Sequence, residues 1–151
     1  MNVVFDLDGT LADVEHRIHH IRREDGEKRD WTAFEDECPR DKPIWQTIKV
    51  FRDISSGTKN DLQIWTGRSE RVREETERWL VDHVGFQYNF CGLIMRPEND
   101  FTEDHVLKER WLDAAIKDGW HPQLAFDDRK RVCDMWRHRG VVCYHVTDGF
   151  F

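Results

Sequence analysis

The 151-residue sequence predicts an α/β protein: an open, mostly parallel sheet flanked by helices, with a small helical insertion after its first strand. Three observations carry that expectation. Five short runs are apolar without strict alternation, as strands covered on both faces are. Amphipathic stretches with readable starts and stops separate them. Acidic, basic and hydroxyl side chains gather just after the runs, where ligands bind in open α/β sheets.

The elements follow in order. The first run, Asn2–Phe5, ends directly on Asp6-Leu7-Asp8-Gly9-Thr10. From Asp13 to Thr58 no strand is expected. Val14, Ile18 and Ile21 sit at helical spacing, a charged loop covers 23–30, and a short helical piece surrounds Trp31–Phe34. Asp41-Lys42-Pro43 then opens a helix with Ile44, Ile48 and Phe51 on one face. Residues 13–58 thus read as a cap-like helical insertion within one domain spanning 1–151.

The second run, Asp61–Thr66, leads into Gly67-Arg68. Ser69 is placed to cap a helix carrying Val72, Trp79, Leu80 and Val84, which Gly85 ends. After the third run, Cys91–Met95, Thr102 is placed to cap a helix with Glu103 and Asp104 in its first turn and Lys108 soon after. Val106, Leu107, Trp111, Leu112 and Ala115 face inward there, and Gly119 is the stop. The fourth run, Gln123–Phe126, precedes Asp127-Asp128. A helix with Val132, Met135 and Trp136 inward then runs to Gly140, and Val141–Val146 closes the sheet.

Composition narrows the function. Hydrophobic residues make up 38% and charged residues 35%, which favours a soluble globular chain over a disordered one. No apolar run approaches the roughly 20 residues of a membrane span. Asp6 and Asp8 interrupt the first ten residues, against a signal peptide, so the expected location is cytoplasmic. A formal charge of −7 argues against an extended grip on duplex nucleic acid but leaves room for a pocket that takes one phosphate. Cys38, Cys91, Cys133 and Cys143 have no C-x-x-C spacing and read as reduced, buried hydrophobes. His16, His19 and His20 lack a third ligand and read as a polar face of the insertion. The tryptophans read mainly as core, Trp31 and Trp45 being the two that could stack a base.

"DLDGT" (6–10), "WTGR" (65–68), Lys108 and "FDDR" (126–129) resemble, in this chain order, the four motifs of the haloacid dehalogenase (HAD) phosphotransferase superfamily. The run 124–151, an arginine eleven residues after the first aspartate (Arg17) and an aspartate four residues before the lysine (Asp104) resemble more closely the 3′-phosphatase domain of bacteriophage polynucleotide kinase/phosphatases. No G-x-x-x-x-G-K-[ST] loop occurs, so a kinase half is not expected in this sequence.

The resemblance implies a Rossmann-like HAD fold and a phosphomonoesterase with an aspartyl-phosphate intermediate. Asp6 would attack phosphorus, and Asp8 would protonate the leaving alkoxide and then activate water, its pKa raised by neighbouring carboxylates. Carboxylate and phosphate repel, so a hard divalent cation, Mg²⁺, must bridge them. Asp6, the backbone carbonyl of Asp8, and Asp127 or Asp128 would hold it, with no choice made between the last two. Gly9 permits a sharp turn that the Thr10 hydroxyl pins; Thr10, Thr66, Gly67 and Lys108 would meet the phosphoryl oxygens. Arg17 and Arg68 would clamp the substrate phosphate or its neighbour, and Asp104 would support the site.

The expected substrate is a 3′-phosphate on a DNA or RNA end, as in nucleic-acid end repair, with a separate kinase or ligase as a conceivable partner. The alternatives are a 5′- or 3′-nucleotidase or other small-molecule phosphatase of the same fold and, third, a catalytically inactive binding module.

Overall fold

The computed structural model describes residues 1–22, 28–57, 59–85 and 91–148. Five strands, β1 (Asn2–Phe5), β4 (Asp61–Ser69), β5 (Cys91–Arg96), β6 (Leu124–Asp127) and β7 (Val142–His145), form one sheet in the order β5-β4-β1-β6-β7. Every pairing in it is parallel. The expected α/β architecture is therefore present.

Alternating side chains of the central strand explain its unbroken apolar run. Val3 and Phe5 pack with Ile48 and Phe51 of α2 (Trp45–Ser55) and Trp79 and Leu80 of α3 (Arg73–His83). Val4 points to the other layer, among Leu112 of α4 (Asp104–Lys117) and Val132, Met135 and Trp136 of α5 (Lys130–His138). A strand covered on both faces gains from apolar residues at every position. Phe5 and Phe126 stack at 4.4 Å, which locks the ends of β1 and β6 side by side.

Residues 13–58 depart from an all-helical insertion. Val14 to Ile21 forms a 3₁₀ helix over Glu15–His20, followed by α1 (Trp31–Asp36) and a 3₁₀ turn at Cys38–Arg40. Two short strands, β2 (Ala12–Asp13) and β3 (Lys42–Pro43), pair antiparallel. Asp41-Lys42-Pro43 therefore opens no helix. The segment is drawn inward by the ion pairs of buried Asp41, and α2 starts only at Trp45. Most of the charged loop at 23–30, and Thr58, lie outside the described residues.

Two other boundaries shift. β4 runs to Ser69 because its pairing with β5 continues to Arg96, across a register irregularity between Thr66 and Ser69. Such a bulge re-aims side chains, and here Arg68 lies in the interior. Ser69 caps a 3₁₀ turn, Glu70–Val72, that precedes α3, and Glu103 rather than Thr102 takes the cap position of α4. Cys38, Cys133 and Cys143 are free and buried, as expected of small hydrophobes; the Cys91 side chain lies outside the description. Trp65, Trp79 and Trp136 are core, whereas Trp31 and Trp45 are exposed. Among the described residues no helix is long and apolar enough to cross a membrane.

Candidate active site at the carboxyl ends of the strands

Two neighbouring strands deliver their terminal acids to one point. Asp6 directly follows β1, its amide donating to the Phe126 carbonyl at 2.9 Å, and Asp127 is the last residue of β6. With Asp128, each offers a carboxylate oxygen within 4.8 Å of the others', and all three are buried. Lys108, in the second turn of α4, reaches between them: Nζ donates to Asp6 Oδ1 at 2.6 Å and to Asp127 Oδ2 at 2.7 Å.

The charges do not balance. With all three ionised, the carboxylates outnumber the Lys108 ammonium and the Arg129 guanidinium that act on them, which leaves net negative charge in a buried place. Burial raises the Asp6 carboxyl well above its ordinary range, only partly countered by Lys108 and reinforced by Asp127 and Asp128. Burial and the charge of Asp127 push Asp128 up to about 7. Burial alone would lower Lys108, but Asp127 and Asp6 outweigh it and hold the ammonium above its ordinary value. Asp128 Oδ1 is buried without a hydrogen-bond partner among the described residues. Buried, converging oxygen donors with surplus negative charge fit one hard divalent cation. This is the only group of three or more potential ligands among the described residues.

The turn after Asp6 is built by the backbone. Leu7 O accepts from the amides of Leu11 and Ala12 at 2.8 and 2.9 Å, and the Gly9 amide donates to Ala12 O at 2.8 Å. Gly9 has φ +78°, and a Cβ there would lie 2.1 Å from Asp128 Oδ2, so both backbone conformation and close approach demand glycine. The Thr10 hydroxyl does not pin this turn, contrary to expectation. Its Oγ1 is buried without a hydrogen-bond partner among the described residues.

Asp8 sits in a second ionic cluster. Arg68 donates to Asp8 Oδ1 from Nε and Nη2 at 2.8 and 2.5 Å, and Arg17 Nη2 does so at 2.9 Å. Both arginines also bind buried Asp41, Arg17 through Nε and Nη2 at 2.7 Å each and Arg68 through Nη2 at 2.6 Å. Remaining donors go to Phe34 O (3.1 Å) and Thr76 Oγ1 (3.4 Å). The arginines thus grip Asp8 and Asp41 where open clamps for a substrate phosphate were expected. Burial alone would raise the Asp8 carboxyl; Arg17 and Arg68 outweigh it and hold the group down at about 2. This reverses the expected direction, because the groups nearest Asp8 are guanidinium cations rather than carboxylates.

The other expected residues line the same end of the sheet. Thr66 is buried, its Oγ1 accepting from the Arg68 amide at 3.2 Å. Asp104 accepts from Arg96 and Arg129, and Arg96 Nε donates to Gly67 O at 2.9 Å. Asp104 therefore ties the end of β4 to the end of β6. A Cβ at Gly67 would stand 3.0 Å from its carboxylate. Asp41, Arg96 and the His16 contact to Asp41 (Nε2 to Oδ1, 2.9 Å) escape the sequence. Asp41 lies 24 and 27 residues from its arginine partners, with no periodicity to mark it.

A central parallel strand that ends on this acid-bearing turn, opposite a second acid pair and a helix-borne lysine, defines the HAD-like class of hydrolases. A HAD family enzyme from Bacteroides thetaiotaomicron, solved in complex with magnesium and inorganic phosphate, shares the fold: TM-score 0.59 at 10% identity, over 99% of this chain and 96% of that one. Within that class, the family described as the polynucleotide kinase PNKP phosphatase domain matches residues 1–151, and the chain belongs to it. A chain of the Pnkp1/Rnl/Hen1 complex is 26% identical with TM-score 0.77, covering 99% of this chain and 46% of that chain. The protein named "Putative bifunctional polynucleotide kinase/RNA ligase" of Autographa californica nuclear polyhedrosis virus is 24% identical over 135 residues, 89% of this chain and 17% of that protein. The chain spans less than half the length of these two relatives.

Proposed function

We propose that the chain removes the 3′-phosphate from DNA or RNA ends as a Mg²⁺-dependent phosphomonoesterase. The observation that carries this reading is the buried group Asp6, Asp127, Asp128 and Lys108, whose surplus negative charge calls for a divalent cation beside a carboxylate placed to attack. Asp6, Asp127 and Asp128, with the Asp8 carbonyl, would hold Mg²⁺, which when bound offsets the repulsion between carboxylate and phosphate.

Lys108 engages Asp6 Oδ1, which leaves Oδ2 for phosphorus. As the Asp6–phosphorus bond forms, the ester P–O bond breaks and the leaving alkoxide takes a proton from Asp8. Asp8 is a carboxylate near neutral pH, so that proton arrives with the substrate, as the monoanion of a phosphomonoester whose second pKa is about 6. Asp8 then takes a proton from water, the water oxygen bonds to phosphorus, Asp6 departs as the carboxylate, and Asp8 returns to its carboxylate form by releasing that proton to solvent. Arg17 and Arg68 hold the Asp8 carboxylate in one position throughout. Thr10, Thr66 and the Gly67 amide meet the phosphoryl oxygens, with Asp104 bracing the wall behind.

Family membership, the Pnkp1/Rnl/Hen1 relative and the relative named as a polynucleotide kinase/RNA ligase favour a polynucleotide end over a free nucleotide, and a kinase or ligase as the partner activity. The test is phosphate release with Mg²⁺ from a 3′-phosphorylated oligonucleotide against free 3′- and 5′-mononucleotides. Preference for the oligonucleotide supports the reading. Preference for mononucleotides makes the chain a nucleotidase with the same chemistry, and no release from any of them makes it a binding module.

A further inference from the structure

We infer that His145, at the end of β7, is a positioning residue for the acid pair: it orients the peptide group that aims Asp127 and Asp128, and thereby sets how tightly they hold a divalent cation. The inference deepens the metal-site reading above and rests on it. β6 and β7 run parallel with Asp127 beside His145, so the chain leaving β7 passes directly along the two acids. The Val146 amide donates to the Asp127 carbonyl at 3.0 Å, and half-buried His145 meets the Asp128 carbonyl through Nε2 at 2.8 Å. A carbonyl oxygen only accepts, so Nε2 carries the proton and donates.

The peptide between Asp128 and Arg129 links that imidazole to the carboxylates. Its carbonyl accepts from His145, and its other end, the Arg129 amide, donates to Asp127 Oδ1 at 3.0 Å. The peptide is planar, so turning its carbonyl away from His145 turns its N–H away from Asp127. Helix α5 does not fix it. Arg129 is still extended (φ −93°, ψ 119°), and it is the Arg129 carbonyl that accepts the first helical bond, from the Cys133 amide at 2.9 Å. The same peptide begins at the Asp128 α-carbon, and Asp128 Oδ1 has no hydrogen-bond partner among the described residues, so the direction of that oxygen follows the backbone. Lys108 already holds Asp127 Oδ2 at 2.7 Å, so the bond to Oδ1 fixes the rotation of that carboxylate. Outer partners that hold ligands in this way control metal affinity by roughly ten- to a hundredfold.

The experiment titrates Mg²⁺ calorimetrically into the wild type, His145→Gln and His145→Asn, and measures the thermal unfolding midpoint of each in chelator. The Gln amide nitrogen stands about as far along the side chain as Nε2 and donates in its place, whereas that of Asn corresponds to Nδ1 and falls short. The Gln variant should bind Mg²⁺ within about twofold of the wild type, and the Asn variant at least about tenfold more weakly. The midpoint of the Asn variant should fall by no more than about 4 °C, the equivalent of one hydrogen bond in a chain of this size. Wild-type affinity in the Asn variant, or an equal loss in both variants, overturns the positioning role and leaves the metal site standing. A loss of affinity that comes with a larger fall in midpoint overturns it too, because His145 would then support the fold as a whole. A wild type that binds no ion overturns the metal-site reading, and this inference with it.

Discussion

Two buried ionic clusters stand side by side at one end of the sheet, and they differ in charge balance. In the first, Asp8 and Asp41 face Arg17 and Arg68, two anions against two cations. In the second, Asp6, Asp127 and Asp128 outnumber the cations that act on them, the Lys108 ammonium bonded to two of them and the Arg129 guanidinium, which Asp104 also holds. In the first cluster the guanidinium ions outweigh burial at Asp8 and hold its pKa down, although burial still raises that of Asp41, whereas in the second both Asp6 and Asp128 are raised and the group calls for another cation. The two aspartates of one D-x-D sequence thus acquire opposite characters from their surroundings. In the proposed reaction Asp8 would carry a proton while held in place, and Asp6 would bind the ion and attack.

The most severe way to break this contrast is Asp6→Asn, which removes the proposed nucleophile while preserving shape. Turnover should fall at least ~10,000-fold, measured as phosphate release, with the unfolding midpoint close to that of the wild type. Retained turnover would mean that Asp6 does not attack.

Next comes Arg68→Met, which leaves Asp8 and Asp41 sharing one guanidinium in the interior. Removing one partner from such a cluster costs about 3–5 kcal/mol, to be read from urea unfolding. A loss below about 1 kcal/mol, the value of an exposed ion pair, would show the cluster to be solvated.

The pH dependence of stability separates Asp8 from Asp128 without mutation, in chelator. Asp128, raised to about 7 from an ordinary 3.8, keeps a proton in the folded chain that the unfolded chain gives up. Its contribution is full below the ordinary value and is lost as pH rises to about 7. Asp8, held at about 2, acts in the opposite sense: its contribution is full above 3.8 and is lost as pH falls. Stability should therefore decline by roughly 1–3 kcal/mol between pH 4 and 7 and drop again in acid. A rise from pH 4 to 7 would contradict the crowding of the acids.

The smallest effect is that of Asp128→Asn, again in chelator at pH 8. Removing one charge from the crowded group should stabilise the metal-free chain by on the order of 1 kcal/mol and flatten the decline above pH 4. Destabilisation instead would show that Asp128 is already compensated.

Much of this was legible in the sequence because it is local. The apolar runs mark the strands, since a strand covered on both faces must be apolar throughout, and Asp6, Asp8, Asp127, Asp128 and Lys108 follow those runs in motif order. What escaped depends on partners distant in the chain. Asp41 stands in a polar segment whose Pro43 suggests a helix start, and its function appears only when β2 and β3 pair and carry it to Arg17 and Arg68. For the same reason the direction of the Asp8 shift could not be read from its neighbours in sequence. Its carboxylate neighbours are adjacent along the chain, but its cations are adjacent in space.

Calorimetric titration of the purified chain with Mg²⁺ tests the account most directly. One ion per chain should bind to the wild type, and none to the Asp127→Asn/Asp128→Asn double variant while it stays folded. A wild type that binds no ion, or a double variant that binds it equally well, would contradict the assignment of the unbalanced cluster as the metal site.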